Sequence, residues 1–559
     1  MEFNVGRKLT AHATSSPNQI AIASPLGSHR QGTNRNYQTV SFRDLDERSS
    51  SIAAGLQAMG IGPGKRIALL VRFGEDFITL VFALLKTGAT IVLIDPGMGK
   101  KNLIRCLAAA EPDGFVAIPQ AHAILWWYAK FFPKATLNVT VGGRYGFCPS
   151  PTLEQLEGFS ANNYRPVDRT ESDPASIIFT TGSTGPPKGV LYTHGTFHHQ
   201  IQQLVARYAI IPGGMDLSCF PLFGLFNAVM GTTTILPDMN PIRPADVDPP
   251  RLLDAVDQWS INQSFGSPAL WTAVGNHCQS NGRKVASLKL ILSAGAPVAP
   301  RILRWMRAAM HDDGQVHTPY GATEALPIAS IESREVLGET AAMAEQGRGT
   351  CVGQRFSGIE WRVIEINDGP IPTLDQTREL PRGEIGELMV TGPVISPEYM
   401  TRKDQNAMHK VFDGARIWHR MGDVGYLDDR NRFWYCGRKS HRVRMSNQTL
   451  YTEPCEAIMN THPSVYRTAL VGIGDPGFQR PISIVETWPG KRPKPNSAAE
   501  RALLVELKQL AQAHVTTAPL DEFLLYPGRL PTDIRHNSKI FREQLAPWAE
   551  ARISKRRST

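Results

Sequence analysis

Chemistry is first legible between Ile177 and Val190, in the string IIFTTGSTGPPKGV. A β-branched run ends in a loop dense in glycine, serine, threonine and proline that holds one lysine, Lys188. Glycines let backbone N–H groups close on an anion, and hydroxyls plus an ammonium complete a phosphate cradle. Thr180, Thr181, Gly182, Ser183, Thr184, Gly185 and Lys188 are therefore candidate phosphate ligands. The string is not a G-x-x-x-x-G-K-[ST] loop, because Gly189 and Val190 follow the lysine. A flexible surface loop is the bland alternative, and so specific a string argues against it.

This string resembles the phosphate loop of the acyl-adenylate-forming superfamily of acyl-CoA synthetases, luciferases and peptide-synthetase adenylation domains. Further signatures follow in that family's order. Gly295-Ala296-Pro297 resembles the adenine-side turn, and Tyr320-Gly321-Ala322-Thr323-Glu324 the YGxTE motif. Gly383 to Leu388 resembles the GExGEL strand, and Gly422-Asp423-Val424-Gly425 the ribose-binding segment. Gly437-Arg438-Lys439 resembles the hinge entry, and Lys539-Ile540 the terminal catalytic lysine. The resemblance spans nearly the whole chain. It implies ATP and Mg²⁺ as cofactors, with the metal on Glu324, the α-phosphate on Thr323, and Lys539 bridging carboxylate and phosphate. It implies Asp423 on the ribose hydroxyls, with Arg438, Gly321 and the Gly295 turn in the same nucleotide site. Tyr320 offers a ring to adenine.

Each role has a physical reason. Adenylation brings a carboxylate to the α-phosphate, two anions that repel, so the site must neutralise charge on the phosphoryl oxygens in flight. Alone, Asp423 reads as a turn residue, Glu324 as a helix-start carboxylate, Tyr320 as core and Lys539 as a solvated lysine; their order in the motif set reverses this.

Three positions depart from the pattern. His441 stands where the family has a hinge aspartate or lysine, Ser538 where a glycine precedes the last lysine, and Gly224 where acyl-CoA synthetases have a histidine. The hinge change puts in doubt the domain rotation that presents an adenylate to coenzyme A. The stretches Val92 to Ala108, Tyr320 to Pro327 and Arg535 to Lys539 are similar to the olefin β-lactone synthetases of bacterial long-chain alkene formation. That likeness implies a 2-alkyl-3-hydroxyalkanoic acid as substrate, and a β-lactone, AMP and diphosphate as products. It implies pathway neighbours as partners: a thiolase-like condensing enzyme, a reductase and a lactone decarboxylase. The lactonisation base is not assigned; His194 and His198 are weak candidates and read better as structural. The alternative activity is a medium- or long-chain acyl-CoA synthetase.

These residues need elements to hold them. Strand then helix is expected across 39–60, with Leu45, Ile52 and Leu56 at helical spacing. Arg66-Val71 reads as a buried strand, Phe77-Leu85 as a buried helix and Thr90-Ile94 as the next strand. The alternation resumes at Ala175-Phe179, Leu288-Ser293 and 384–390, and indicates an α/β fold with largely parallel sheets. The expected architecture is a large N-terminal domain, residues 1–440, and a small α+β domain, 441–559, the site lying at their junction. The Pro-rich stretch 366–382 is expected as a linker, and 486–498 as a surface loop of the smaller domain. The cluster Leu125-Trp126-Trp127-Tyr128 with Phe131-Phe132 is expected to lie on an amphipathic helix packed on the core, with membrane or partner docking as the lesser reading.

With 559 residues, 42% hydrophobic and 20% charged, the chain is long enough for more than one core. Its net charge of +9 is mild over this length and suits an anionic substrate. The basic tail Lys555-Arg556-Arg557 reads as a frayed terminus, so no nucleic-acid partner is expected. The seven scattered cysteines contain no C-x-x-C pair, which indicates a reducing compartment. No signal peptide is read in Met1 to Pro25 and no transmembrane span in Phe77 to Ile94, so a cytoplasmic enzyme is expected. A P-loop NTPase and a non-catalytic polyanion-binding protein are the other classes weighed; the motif set disfavours both.

Overall fold

The computed structural model describes residues 3–27, 34–143, 145–146, 148–179, 187–533 and 539–557. Two mixed, mostly parallel sheets form the centre. One runs in the order Val139–Thr140, Gly114–Ala117, Arg66–Leu70, Thr90–Leu93, Pro174–Phe179, Gly189–Thr193, parallel until its last, antiparallel pair. The other has nine strands, with the parallel strands Thr233–Ile235, Met215–Ser218, Gln263–Gly266, Leu290–Ser293 and Gln315–Ala322 at its middle. The parallel centre and its interleaved helices are what the alternation of strand and helix patterns predicts.

Local signals explain the elements. Helix Phe42–Ala58 begins at Ser41, whose hydroxyl accepts from the Asp44 N–H while Asp44 returns the bond, a capping box. Its Leu45, Ile52 and Leu56 are fully buried. Helix Glu75–Thr87 ends at Gly88, whose φ of +75° suits a residue without a Cβ. Lys86, which interrupts the apolar stretch here, is buried but satisfied. Its Nζ donates to Asp46 Oδ1 at 2.7 Å and to the Ser49 and Ser50 hydroxyls at 2.8 Å.

A third, antiparallel sheet contains Glu360–Ile364, Gly386–Thr391, Arg416–Leu427 and Phe433–Arg438. Two sequence expectations change here. The strand read at 384–390 exists, but in this antiparallel sheet. The stretch 366–382 is no domain linker, since it connects Glu360–Ile364 to Gly386–Thr391, which pair directly. Proline and polar residues mark a turn between paired strands as readily as a hinge.

From Val443 onward the chain builds a sheet of Val465–Ile473, Arg480–Thr487 and Glu522–Leu525. Two apolar clusters drawn only from this part, one around Leu507 and one around Leu545, cover it. The loop at 486–498 lies between Arg480–Thr487 and the helix Ala498–Gln512, within this part, as read. The basic tail is not frayed through Arg557, because the helix Arg542–Arg557 carries Leu545, Ala549 and Ile553 onto the sheet.

The aromatic cluster divides. Helix Pro119–Trp127 buries Leu125, and Phe132 packs edge-on against Phe115 at 5.1 Å. Trp126 and Trp127 are 71% and 76% exposed, so the expected core packing fails for them. Adjacent helical residues lie about 100° apart, and one apolar stripe cannot bury all of them.

Candidate active site

Strands Gln315–Ala322 and Ala325–Glu332 are antiparallel with Ala322 opposite Ala325, so Thr323 and Glu324 form the turn between them. A Cβ on Gly321 would lie 2.6 Å from the Ala325 carbonyl oxygen, which only glycine avoids. The turn is held from three sides. The Tyr399 hydroxyl donates to Glu324 Oε1 at 2.7 Å, and the Tyr192 hydroxyl donates to the Thr323 carbonyl at 2.6 Å. The Ser396 N–H donates to the Glu324 carbonyl at 2.9 Å.

Asp423 lies on Arg416–Leu427 directly opposite Arg438 of the neighbouring strand. It is 3% exposed. Arg438 Nη1 approaches its Oδ1 at 2.9 Å, and the Tyr320 hydroxyl donates to Oδ2 at 2.5 Å. Oδ1 accepts no well-aligned hydrogen bond among the described residues, so the ion pair leaves it lone-pair capacity for a ribose hydroxyl. Burial pushes the Asp423 carboxyl above the usual carboxylate range, against the pull of Arg438. Asp423 in turn raises the Arg438 guanidinium. The Tyr320 ring packs near Phe433 and Tyr435, with centroids 6.1 and 6.4 Å away. Gly295 follows strand Leu290–Ser293 with a φ of +97°, and the turn through Ala296 and Pro297 leaves Gly295 and Pro297 exposed.

Lys188 faces the same turn. Its ammonium donates to His409 Nε2 at 3.0 Å and lies 4.7 Å from the centre of the Tyr399 ring. Burial lowers its pKa, while the charge of Glu324 opposes this. His409 is pushed down to about 4 by burial, with Lys188 next in effect, so at neutral pH it is uncharged and accepts. The field of Glu324 acts on Lys188, His409, Asp423 and Arg438, which gathers residues from 188 to 438 around one locus. Tyr192, Tyr399 and His409 were missed by sequence reasoning. A signal was present: polar residues crowd this strand pair, with Lys410, His419, Arg420 and Asp423 all buried on Lys410–Asp413 and Arg416–Leu427, and His409 directly before it. Lys410 is 1% exposed, donates to the Ser396 carbonyl at 2.5 Å, and is lowered to about 7 by burial.

Thr180, Thr181, Gly182, Ser183, Thr184 and Gly185 lie outside the described residues, as does Ser538. Lys539 is half-buried; its N–H donates to Asp533 Oδ1 at 2.9 Å. Three residues on, Arg542 pairs with both oxygens of Glu456 at 2.7 and 2.8 Å, tying the terminal segment to helix Thr452–Met459. His441 sits in a short turn after Arg438 and is driven down to about 3 by burial, then by Arg542 and Arg438. At neutral pH it carries no charge. His194 accepts the Val5 N–H at 3.3 Å, and His198 stacks edge-on against Phe3 at 5.2 Å, so both serve the packing of the N-terminal segment.

Between the two central sheets lies an open-mouthed cavity of about 130 Å³. Its lining includes Ile91 and Ile178 from one sheet, Phe265 and Leu292 from the other, and Phe223 and Phe226 between them. Phe223 stacks on Phe265 at 4.3 Å. Gly224, at the departed histidine position, stands against Phe73, 3.2 Å from where a Cβ would lie. Ala294, Pro319, Leu326 and Pro327 close the end beside the Gly295 turn and the Glu324 hairpin.

Residues 9–400 match the AMP-binding enzyme family. The chain belongs to that family. It is 44% identical over 552 residues to a protein of Xanthomonas campestris named olefin beta-lactone synthetase, spanning 98% of this chain and 97% of that one. It is 43% identical over 563 residues to the protein of the same name from Stenotrophomonas maltophilia, spanning 99% of each. Its fold is similar to that of ATP-bound MatB from Rhodopseudomonas palustris, with a TM-score of 0.76 at 20% identity, covering 98% of this chain and 99% of that one. Among the described residues no helix is long and apolar enough to cross a membrane.

Proposed function

We propose that this protein is an ATP-dependent, AMP-forming ligase that activates a 2-alkyl-3-hydroxyalkanoic acid as its acyl adenylate and closes it to a β-lactone. The observation that carries the reading is the joining of a polar turn, Thr323-Glu324, to one end of an apolar cavity, in a chain 44% identical to an olefin beta-lactone synthetase.

Asp423 receives the ribose hydroxyls on its free Oδ1 lone pairs, and Tyr320 and Arg438 fix the carboxylate for them. The Gly295 turn borders adenine. Thr323 and Lys188 meet the phosphates, with the loop 180–185 completing the cradle. Among the described residues no three His, Cys, Asp or Glu side chains cluster as a metal cage. Mg²⁺ would therefore rest on Glu324, with phosphate oxygens and water for the remainder, and would offset phosphate charge there. Lys539 brings an ammonium to the carboxylate and α-phosphate, where charge develops in the transition state. The acid's alkyl groups fill the cavity. Its 3-hydroxyl then attacks the acyl carbonyl, forming the C–O bond of the lactone as the C–O bond to AMP breaks, and the hydroxyl proton passes to the departing AMP phosphate or to solvent. Holding both groups in one molecule gives the effective-molarity advantage of an intramolecular reaction, and the apolar lining excludes water that would hydrolyse the adenylate.

The chain divides at 440/441, the smaller part bearing Lys539. Closure to a lactone needs no coenzyme A tunnel and no large rotation, in keeping with the uncharged His441 at the hinge. The seven free cysteines, all buried, fit a cytoplasmic enzyme, and the pathway's condensing, reducing and decarboxylating enzymes are its proposed partners. The test supplies ATP, Mg²⁺ and a 2-alkyl-3-hydroxy acid without coenzyme A. A β-lactone with stoichiometric AMP is expected. AMP and a thioester formed only on adding coenzyme A would replace this reading with an acyl-CoA synthetase.

A further inference from the structure

One polar side chain in the cavity wall has an unused acceptor. Gln200, on helix His194–Tyr208, is 2% exposed and lines the cavity among Phe197, Ile201, Phe226 and Leu326. Its Nε2 donates to the Leu326 carbonyl at 2.8 Å. A carbonyl only accepts, so Leu326 fixes which end of the amide faces it. Oε1 is then left with no hydrogen-bond partner among the described residues. A buried amide oxygen without a partner costs free energy that a correctly placed donor recovers. Most side chains of this wall are apolar and have nothing to donate.

The position is informative. Leu326 lies two residues after Glu324, and Tyr192, whose hydroxyl donates to the Thr323 carbonyl, lines the same end of the cavity. The unpaired acceptor is therefore near the nucleotide end, where the acid's carboxylate must sit. The carbon bearing the 3-hydroxyl is one carbon removed from the carboxyl carbon, so the hydroxyl oxygen lies within about 4 Å of that carboxyl carbon. The alkyl chains, lying farther along, carry no donor.

We propose that Gln200 Oε1 accepts a hydrogen bond from the 3-hydroxyl of the acid, and so selects hydroxy acids and holds the hydroxyl oxygen beside the activated carbonyl. This rests on the β-lactone reading. Gln200 is a positioning and specificity residue. Its amide oxygen orients the O–H but is too weakly basic to remove the proton.

The experiment measures equilibrium binding of two acids in the presence of α,β-methylene ATP, so that neither reacts: a 2-alkyl-3-hydroxy acid and the same acid lacking the hydroxyl. The wild type is expected to bind the hydroxy acid about tenfold more tightly, because only that acid supplies the buried Oε1 with a donor. In Gln200→Met, which keeps the bulk of the side chain, the preference is expected to fall below about twofold, with the deoxy acid bound as well as before. A wild type that does not discriminate overturns the proposal without recourse to any variant. So does a folded Gln200→Met that keeps the full preference, or one that weakens both acids equally. Whether a lactone forms without coenzyme A is read separately from products, so a discriminating enzyme that makes only thioesters fails the lactone reading and leaves the Gln200 assignment standing.

Discussion

The polar cluster proposed for the nucleotide and the apolar cavity proposed for the acid are built on opposite principles. Around Glu324 and Asp423 charged and polar groups are paired: Tyr399 on Glu324, Arg438 and Tyr320 on Asp423, His409 on Lys188. The cavity next to it is walled by Phe223, Phe226, Phe265, Leu292 and their neighbours, with few polar groups. Preorganised dipoles stabilise developing charge because they need no reorganisation as the reaction proceeds. An apolar cavity discriminates by volume and by the lack of partners for misplaced polar groups. Under the proposed function the contrast divides two properties: rate on the polar side, choice of acid on the apolar side.

The hardest break of that contrast is Lys539→Ala. The lysine is half-buried on a late segment, so its loss should leave the fold intact. Carboxylate-dependent diphosphate exchange should fall roughly 10²-fold or more, by analogy with removing an oxyanion donor, with ATP binding weakened far less. Near wild-type exchange would remove Lys539 from the mechanism.

Glu324→Gln should act next most strongly. A hard cation prefers a carboxylate oxygen to an amide oxygen, so the Mg²⁺ concentration for half-maximal rate should rise about tenfold. Unchanged Mg²⁺ dependence would leave Glu324 as a turn residue bonded to Tyr399.

Phe223→Leu probes the other side. It removes a ring stacked on Phe265 and widens the cavity. The acid chain-length profile of kcat/KM should shift several-fold, roughly what one or two buried CH₂ groups provide, while KM for ATP stays put. A change in ATP KM of equal size would show that the two regions are not separable.

The smallest effect concerns Asp216, which is fully buried and raised to about 7 by desolvation, with Asn227 of helix Pro221–Met230 donating to it at 2.7 Å. The unfolded carboxyl ionises near 3.9. Between about 4 and 7 the folded state therefore holds the extra proton, and stability is lost as pH rises through that window. Asp216→Asn removes this loss. Its Tm advantage over wild type should grow from pH 5 to pH 8 by roughly 1–3 °C. A constant difference would mean that the folded carboxyl ionises normally.

How much of this was legible in the sequence divides along the same line. The polar side is written in short strings, because a turn such as Thr323-Glu324 or a register pair such as Asp423 and Arg438 needs particular residues at fixed spacing. Those strings carried the family resemblance and the nucleotide chemistry that it implies, while the fold class came from the alternation of strand and helix patterns. The stretch 366–382 misled because proline and polar residues mark hairpin connections and domain hinges alike. The tryptophans at 126 and 127 misled because apolar composition does not say which side of a helix meets the core.

The sequence by itself determined the residue types at the proposed nucleotide site and the alternation that forces a parallel α/β centre, since both are set by local spacing. Only the tertiary structure decided the cavity, whose wall runs from Val5 to Pro327, and the partners of buried groups such as His409 with Lys188 and Gln200 with Leu326. The physical reason is that packing and hydrogen-bond satisfaction depend on which surfaces meet, and surfaces far apart in the chain leave no common pattern in it.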